Sequence, residues 1–458
     1  MIQVLGFLYT IWPRPKPVLV PKEDPSQHPI FVLVPTVNEG TEILQATLAG
    51  AISARTQYLD AFPRATVTIV VCNDGRVANA PCWQDVEQLA ERLGVVCVTR
   101  TVGGGAKAGN IEFARQQVGA TNNALIALFD ADMVARPEFL LKTIPPLADP
   151  TIAWVQTGQY YRNHENPVAR WADDQQALFY SAICAGKARL NAGFICGTNV
   201  VIRAAALDEI GGLPQDSITE DIAASLLLHH RGWRGVYLTD VLATGLGPPD
   251  IAAYFAQQRR WSTGVFGVVR RYWRVLLLPG KDGRGLTGAQ RIQYLLSGTH
   301  YLSGVCNLLY LLVPLGYFYV GACAVRPVDP GTLFRYLLPY WLLTLLAFRG
   351  ASRGQTHWRG MALGFGSFPV TVGSLWSVLL GRRARFVVTD KKRRPSEKSG
   401  TGAALFPHGI ALALCFGGLW QSVSAAGNPV FVLLSSLWLA QMALMLAALL
   451  QVALRRRR

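Results

Sequence analysis

Four short stretches carry most of the side chains able to do chemistry: Asn73-Asp74-Gly75, Asp130-Ala131-Asp132, Thr219-Glu220-Asp221 and Gln257-Gln258-Arg259-Arg260-Trp261. Asp130 and Asp132 end the very apolar run 124–129. Carboxylates so spaced suit a divalent ion, Mg²⁺ or Mn²⁺, that keeps waters and binds diphosphate oxygens; a salt-bridged surface pair is the competing reading. In Gly103-Gly104-Gly105-Ala106-Lys107-Ala108-Gly109-Asn110 the glycines allow close backbone approach and Lys107 can pair with a phosphate. A flexible loop with a solvated lysine explains the same residues, and the spacing is neither a Walker A nor a Rossmann fingerprint. Gln257 and Trp261 stand one helical turn apart and share a face. Trp261 offers a ring that can stack on a sugar, and Arg260 offers a bidentate partner for a diphosphate. An amphipathic interfacial helix over 252–278 fits these residues too. Thr219 suits a helix N-cap with two acids in the first turn, and Asn-Asp-Gly is a common turn.

These residues need a scaffold, and residues 30–245 read as an α/β domain. Apolar runs at Ile30–Val34, Val67–Cys72, Val95–Val98 and Leu125–Phe129 predict strands, each ending at a turn or an acid. Helical patterns over Glu42–Ser53, Gln84–Leu93 and Ala108–Val118 intervene. Alternation of this kind implies a mainly parallel sheet with ligands at the carboxyl ends of its strands. Pro35-Thr36-Val37-Asn38-Glu39, Asp74 and Asp130 all fall at such ends.

The chain has 458 residues, 51% of them hydrophobic, and a formal charge of +16. That charge raises nucleic acid as a partner. The basic residues, however, cluster beside apolar segments: Arg259, Arg260, Arg270, Arg271 and Arg274; Arg382 to Arg394; and Arg455 to Arg458. Cytoplasmic membrane loops collect Lys and Arg in this way and meet anionic lipid. A lipid bilayer is therefore the expected partner, and nucleic acid is not. The eight cysteines show no close CxxC pairing and read as buried thiols in a reducing compartment. Ile292–Val325, Tyr336–Phe348, Leu405–Val423 and Pro429–Leu450 predict four membrane crossings, the second with its flanking residues. If Met361–Leu380 also crossed, the segment 382–398, with eight Lys or Arg, would lie outside. The positive-inside tendency instead lays that helix in the interface. Met1–Trp12 is apolar over about half a bilayer, followed by Pro13, Pro15 and Pro17, and lacks signal-peptide features.

The order and spacing of these motifs resemble the processive family-two glycosyltransferases, and within them the bacterial cellulose synthases, from about Pro29 to Leu450. The resemblance implies a cytoplasmic GT-A-like domain over 29–250, interfacial helices over 251–290, and an α-helical membrane region over 291–458 in the inner or plasma membrane. It makes residues 1–28 an anchor or the remnant of a spanning helix, through truncation or replacement. It also implies roles. Thr36, Asn38 and Glu39 belong to the nucleotide-binding opening loop. Asp74 meets the nucleoside, with Asn73 standing where the family has a further aspartate, and Lys107 and Asp130 hold the donor. Asp132 and Asp130 hold the metal. Phe194, Cys196, Gly197, Thr198 and Glu220 line the acceptor sugar together with Trp261. Asp221 is the catalytic base, supported by Gln257 and Arg260. Thr389 and Lys391, in Phe386-Val387-Val388-Thr389-Asp390-Lys391, resemble a gating loop that closes over the donor.

The implied function is inverting, processive transfer of glucose from a UDP-sugar donor, UDP-glucose, to a growing β-1,4-glucan. Accessory subunits or an oligomer remain open. A related synthase making another glucan linkage, a mannan or a glycolipid is the alternative, followed by a non-catalytic membrane scaffold.

Overall fold

The computed structural model describes residues 2–81, 83–279, 285–322, 329–351, 358–382, 401–425 and 428–455. The described residues form ten strands: β1 Ile30–Thr36, β2 Val67–Asn73, β3 Val96–Thr99, β4 Leu125–Leu128, β5 Val134–Ala135, β6 Ile152–Thr157, β7 Tyr160–Tyr161, β8 Val200–Arg203, β9 Arg234–Leu238 and β10 Ala243–Gly245. Seven form one sheet in the order β3-β2-β1-β4-β8-β6-β9, and three form a small sheet, β5-β10-β7. β3, β2, β1 and β4 run parallel, while β8 is antiparallel to both β4 and β6.

The parallel half is buried on both faces, which is why its strands read as unbroken apolar runs. Ile30, Val32 and Val34 pack with Leu44 and Leu48 of the helix Thr41–Ala61 and with Val86 and Leu89 of the helix Trp83–Arg92. Leu33 and Val70 point the other way, onto Ala108, Ile111 and Ala114 of the helix Ala106–Gln117. The strands and helices expected here are all present, although the first helix continues well past Ser53. The antiparallel β8, the small sheet and a π-helical turn at Phe179–Ile183 had no local sequence signal. The carboxyl ends of β1, β2, β3 and β4 meet the start of β8 along one edge of the sheet.

Three helical runs among the described residues are long and apolar enough to cross a membrane: Gly288–Val320, Thr401–Ser422 and Pro429–Leu454. The helix Pro330–Ala351, 22 residues with Pro339 inside, is not among them, although it leaves Leu342, Leu343, Leu345 and Leu346 exposed. The expected single helix 361–380 is instead a pair, Trp358–Gly366 and Phe368–Leu379, bent by 44°. Ser367 sits at the bend; its hydroxyl hydrogen-bonds the Tyr254 hydroxyl (3.1 Å) and donates to the Leu363 carbonyl (3.0 Å). Small residues let the pair pack closely, and a Cβ on Gly304 would lie 1.8 Å from Thr371 Oγ1. Most described cysteines are at least partly buried, as expected, but Cys306, on the first of these helical runs, is exposed.

Gly360 joins this bent pair to the α/β half. A Cβ there would lie 2.6 Å from the Cα of Gln175, backbone that cannot move aside, whereas a Cβ on Gly373 meets nothing within 4 Å. Gly360→Ala should therefore destabilise the fold by about 1–3 kcal/mol. Gly373→Ala should be neutral or stabilising by up to about 1 kcal/mol. Unfolding midpoints of the two full-length variants check the contrast, and equal midpoints would contradict this packing.

Candidate active site

The sheet edge gathers five loops. After β1, the Glu39 carboxylate turns back on its own loop and accepts from Thr36 Oγ1 (2.9 Å), Val37 N (2.8 Å) and Asn38 N (3.2 Å). After β2, Asn73 is fully buried as a turn brace: Oδ1 accepts from Gly75 N (2.9 Å) and Nδ2 donates to the Trp83 carbonyl (3.0 Å). A carboxylate could accept from Gly75 in the same way but could not donate to the Trp83 carbonyl, so the amide makes a bond here that an aspartate would lose. Asp74 stands beside it with both oxygens held by Arg100, one of them at 2.7 Å.

The helix Ala106–Gln117 begins at Gly105 in the left-handed region, φ 66°, and presents Lys107. The Lys107 ammonium pairs with Asp130 and donates to the Gly197 carbonyl (2.8 Å). Asn110 pins the same helix to the end of β2 through the Cys72 carbonyl (2.7 Å). After β4, the Asp130 N–H donates to Thr198 Oγ1 (2.8 Å), and Asp132 Oδ2 accepts from Leu246 N (3.0 Å). The first bond fixes the Asp130 backbone and the second holds the Asp132 carboxylate.

The loop that precedes β8 is set by Gln156, whose Oε1 accepts from Cys196 N (2.8 Å), and by Gln159, which donates to the Cys196 carbonyl (2.6 Å). Gly197 has φ 79°, and a Cβ there would lie 3.1 Å from Asp221 Oδ2. Glycine thus permits the turn and clears the carboxylate. Asp221 sits in the first turn of the helix Glu220–His230, its Oδ1 accepting from Ile222 N (2.8 Å). Thr219 makes no side-chain cap bond, so capping does not account for the Thr-Glu-Asp run. Gly264 of the helix Ile251–Arg271 packs on Thr219, where a Cβ would come within 2.3 Å of Cγ2. That contact fixes the Gln-x-x-Arg-Trp helix against the two acids. Gln257 donates to the Tyr161 hydroxyl (3.4 Å).

The electrostatics follow from burial. The Asp221 carboxyl is pushed up to about 7, first by burial and then by the charge of Glu220. Burial also raises Glu220. Burial alone would lower Lys107, but Asp130, Glu220 and Asp221 outweigh it and hold the ammonium above its usual value. A carboxyl raised to about 7 thus stands beside a firmly charged cation.

One cavity of about 840 Å³ brings the site together. Its wall includes Glu39, Asp74, Lys107, Asp130, Asp132, Phe194, Cys196, Gly197, Glu220, Asp221, Gln257, Arg260 and Trp261. Thr36 and Thr198 are buried behind the wall, and Asn38 is exposed outside it. Thr389 and Lys391 lie outside the described residues. The cavity continues past Trp261 to Phe7 and Thr10 of the N-terminal helix Ile2–Ile11 and to Leu296 and Ser297. Thr10 is bonded to Gln293, and the buried Lys187 donates to Gln293 Oε1 (2.9 Å) and Ser297 Oγ (2.9 Å). Arg100, Gln156, Gln159 and Lys187 escape sequence reading because each acts through a partner distant in the chain.

Residues 28–264 match the family model described as glycosyltransferase like family 2. The chain is 30% identical over 348 residues to the cellulose synthase catalytic subunit (UDP-forming) of Pseudomonas fluorescens, covering 74% of this chain and 44% of that protein. It is 28% identical over 440 residues to cellulose synthase 1 of Komagataeibacter xylinus, covering 92% of this chain and 26% of that one. The chain therefore spans between about a quarter and a half of the length of these relatives. Its fold is similar to that of the mannosyltransferase PcManGT from Pyrobaculum calidifontis, solved with GDP-Man and Mn²⁺, with a TM-score of 0.56 at 18% identity over 83% of this chain and 95% of that one. The parallel sheet, the paired acids at its edge and the family match over more than half of the sequence lead to one conclusion: the chain belongs to glycosyltransferase family 2.

Proposed function

We propose that this chain is a membrane-embedded, inverting, processive glycosyltransferase that builds a β-1,4-glucan from UDP-glucose at the cytoplasmic face of the membrane. The observation that carries this reading is the single cavity. It is lined by anion-binding and acidic groups, by Trp261 and by residues near the start of the first membrane-length helix.

In this reading Asp74 meets the nucleoside, while Lys107 and Arg260 bind and orient the diphosphate. Asp130 and Asp132 are both hard oxygen donors on one cavity wall; since no group of three or more acids, histidines or cysteines able to hold a metal occurs among the described residues, the rest of the shell of a divalent ion here would come from the donor and water. Two carboxylates completed by diphosphate oxygens and water are a common Mg²⁺ or Mn²⁺ arrangement. When bound, such an ion would neutralise charge developing on the leaving diphosphate. Asp221 takes the proton from the acceptor hydroxyl as that oxygen attacks the anomeric carbon, and the departing UDP leaves from the opposite face. One displacement inverts the α-linked donor into a β-linked product. Trp261, with Phe194 and Cys196, holds the acceptor sugar and excludes water. The bent helix pair lies along the interface, and Pro330–Ala351 with the three apolar runs provides the crossings.

Incubating membrane vesicles with a panel of UDP- and GDP-sugars, then digesting the product with linkage-specific glycosidases, tests donor and linkage together. UDP-glucose should be the productive donor, giving a polymer cut by β-1,4-glucanase; another sugar or linkage would overturn that part of the reading.

Asp221→Asn should lower transfer about 10²- to 10⁴-fold while leaving UDP binding nearly intact, because a base acts on the acceptor. Substantial turnover would remove Asp221 from the mechanism. Because the raised Asp221 carboxyl must be ionised to act, kcat/KM should climb as pH rises through about 7. A profile flat between pH 5 and 8 on this order of magnitude would contradict that assignment.

Chelation should abolish activity, and added Mg²⁺ or Mn²⁺ should restore it in the native chain but not in Asp132→Ala. Full activity in chelator would make the acidic pair structural.

A further inference from the structure

Arg100, which follows β3, is 4% exposed and makes four hydrogen bonds in two directions. Nε and Nη2 grip the two oxygens of Asp74, the second at 2.7 Å. Nη1 donates to the Gly104 carbonyl (2.7 Å) and Nη2 to the Ala106 carbonyl (3.2 Å). Between those carbonyls the backbone is unusual: Gly104, Gly105 and Ala106 have φ of 141°, 66° and 47°. Alanine in the left-handed region is strained and persists only where surrounding contacts over-determine it. Arg100 supplies two of those contacts at the turn that opens the helix carrying Lys107. Gly109 makes room for them, since a Cβ there would lie 2.0 Å from the Gly104 oxygen and 3.1 Å from Arg100 Nη1.

We propose that Arg100 is a positioning residue that couples the two ends of the nucleoside diphosphate site. It aims and neutralises Asp74 for the nucleoside, and it locks the turn that delivers Lys107 to the diphosphate. This rests on the reading of this sheet edge as the donor site. The chemistry favours the arrangement. A bare carboxylate at Asp74 would repel an anionic diphosphate in the same cavity, whereas the bidentate guanidinium cancels that charge and leaves carboxylate lone pairs to accept from the nucleoside. Because the same planar group holds both Asp74 and the loop, a disturbance of Arg100 reaches both ends. The ligand class is a nucleoside diphosphate bound as one unit.

The test is a double-mutant cycle on the full chain in lipid nanodiscs, with UDP binding read by calorimetry. Arg100→Lys keeps the charge and loses the fork, which avoids leaving Asp74 buried beside no cation. Lys107→Met removes the phosphate contact. Each single variant should weaken UDP about 10-fold, and the double variant should fall well short of the roughly 100-fold product. Arg100→Lys should also weaken uridine, which Lys107→Met should leave unchanged. Multiplicative losses, or native UDP affinity in Arg100→Lys, would overturn the inference. So would a lowered unfolding midpoint with unchanged nucleotide affinity, the signature of a purely structural arginine. If the native chain binds no UDP, the donor-site reading fails and takes this inference with it, whereas tight native binding with multiplicative variants sinks the inference alone.

Discussion

The arrangement depends on keeping several carboxylates together in a largely buried space. Asp130, Glu220 and Asp221 all act on the Lys107 ammonium, and their attraction overcomes the burial that would otherwise discharge it. Burying like charges is tolerable only when a counter-charge is shared among them. Much of the surrounding architecture serves that requirement. Gly105 and Ala106 adopt left-handed backbone to aim Lys107, Gly197 gives up its side chain to admit Asp221, and Thr198 turns Asp130 into place. The strain of those turns is local, and the buried sheet beneath supplies the rigidity that holds it.

The same logic extends to the membrane side. The helix Ile251–Arg271 meets the acids through Gly264 and Thr219 and meets the bent pair through Ser262, which donates to Ser374 Oγ (2.8 Å). One helix therefore carries Arg260 and Trp261 into the cavity on one side and packs against apolar helices on the other. Lys187, on the helix Cys184–Arg189 that follows the π-helical turn, bonds Gln293 and Ser297, and Thr10 brings in the N-terminal helix. Buried polar contacts join the catalytic and apolar halves, so the cavity wall is built jointly by both.

Most of the parallel sheet was legible in the sequence because strands buried on both faces leave continuous apolar runs, as in Ile30–Val34 and Leu125–Phe129. The acidic motifs and Gln-x-x-Arg-Trp were legible because their spacing encodes their relative placement. What remained hidden is long-range. No local pattern announces that Arg100 will embrace Asp74, that Gln156 will hold Cys196, or that β8 will enter antiparallel. Thr219 read equally well as a cap, and only the absence of a cap bond separates the two readings. The bend at Ser367 was missed because neither a serine nor a following proline at a helix start marks a 44° change of direction by itself.

Central to the proposed function is that the cavity that holds the donor also receives the growing product, with Phe7 of the N-terminal helix on its wall. The most direct test places a photo-reactive phenylalanine analogue at Phe7, on the cavity wall, and separately at Phe113, which is exposed outside it. Vesicles are then supplied with radiolabelled UDP-glucose and irradiated during synthesis. The account predicts that labelled, glucanase-sensitive polymer becomes attached at Phe7 and not at Phe113. Active synthesis with no attachment at Phe7, or equal attachment at both positions, would contradict it.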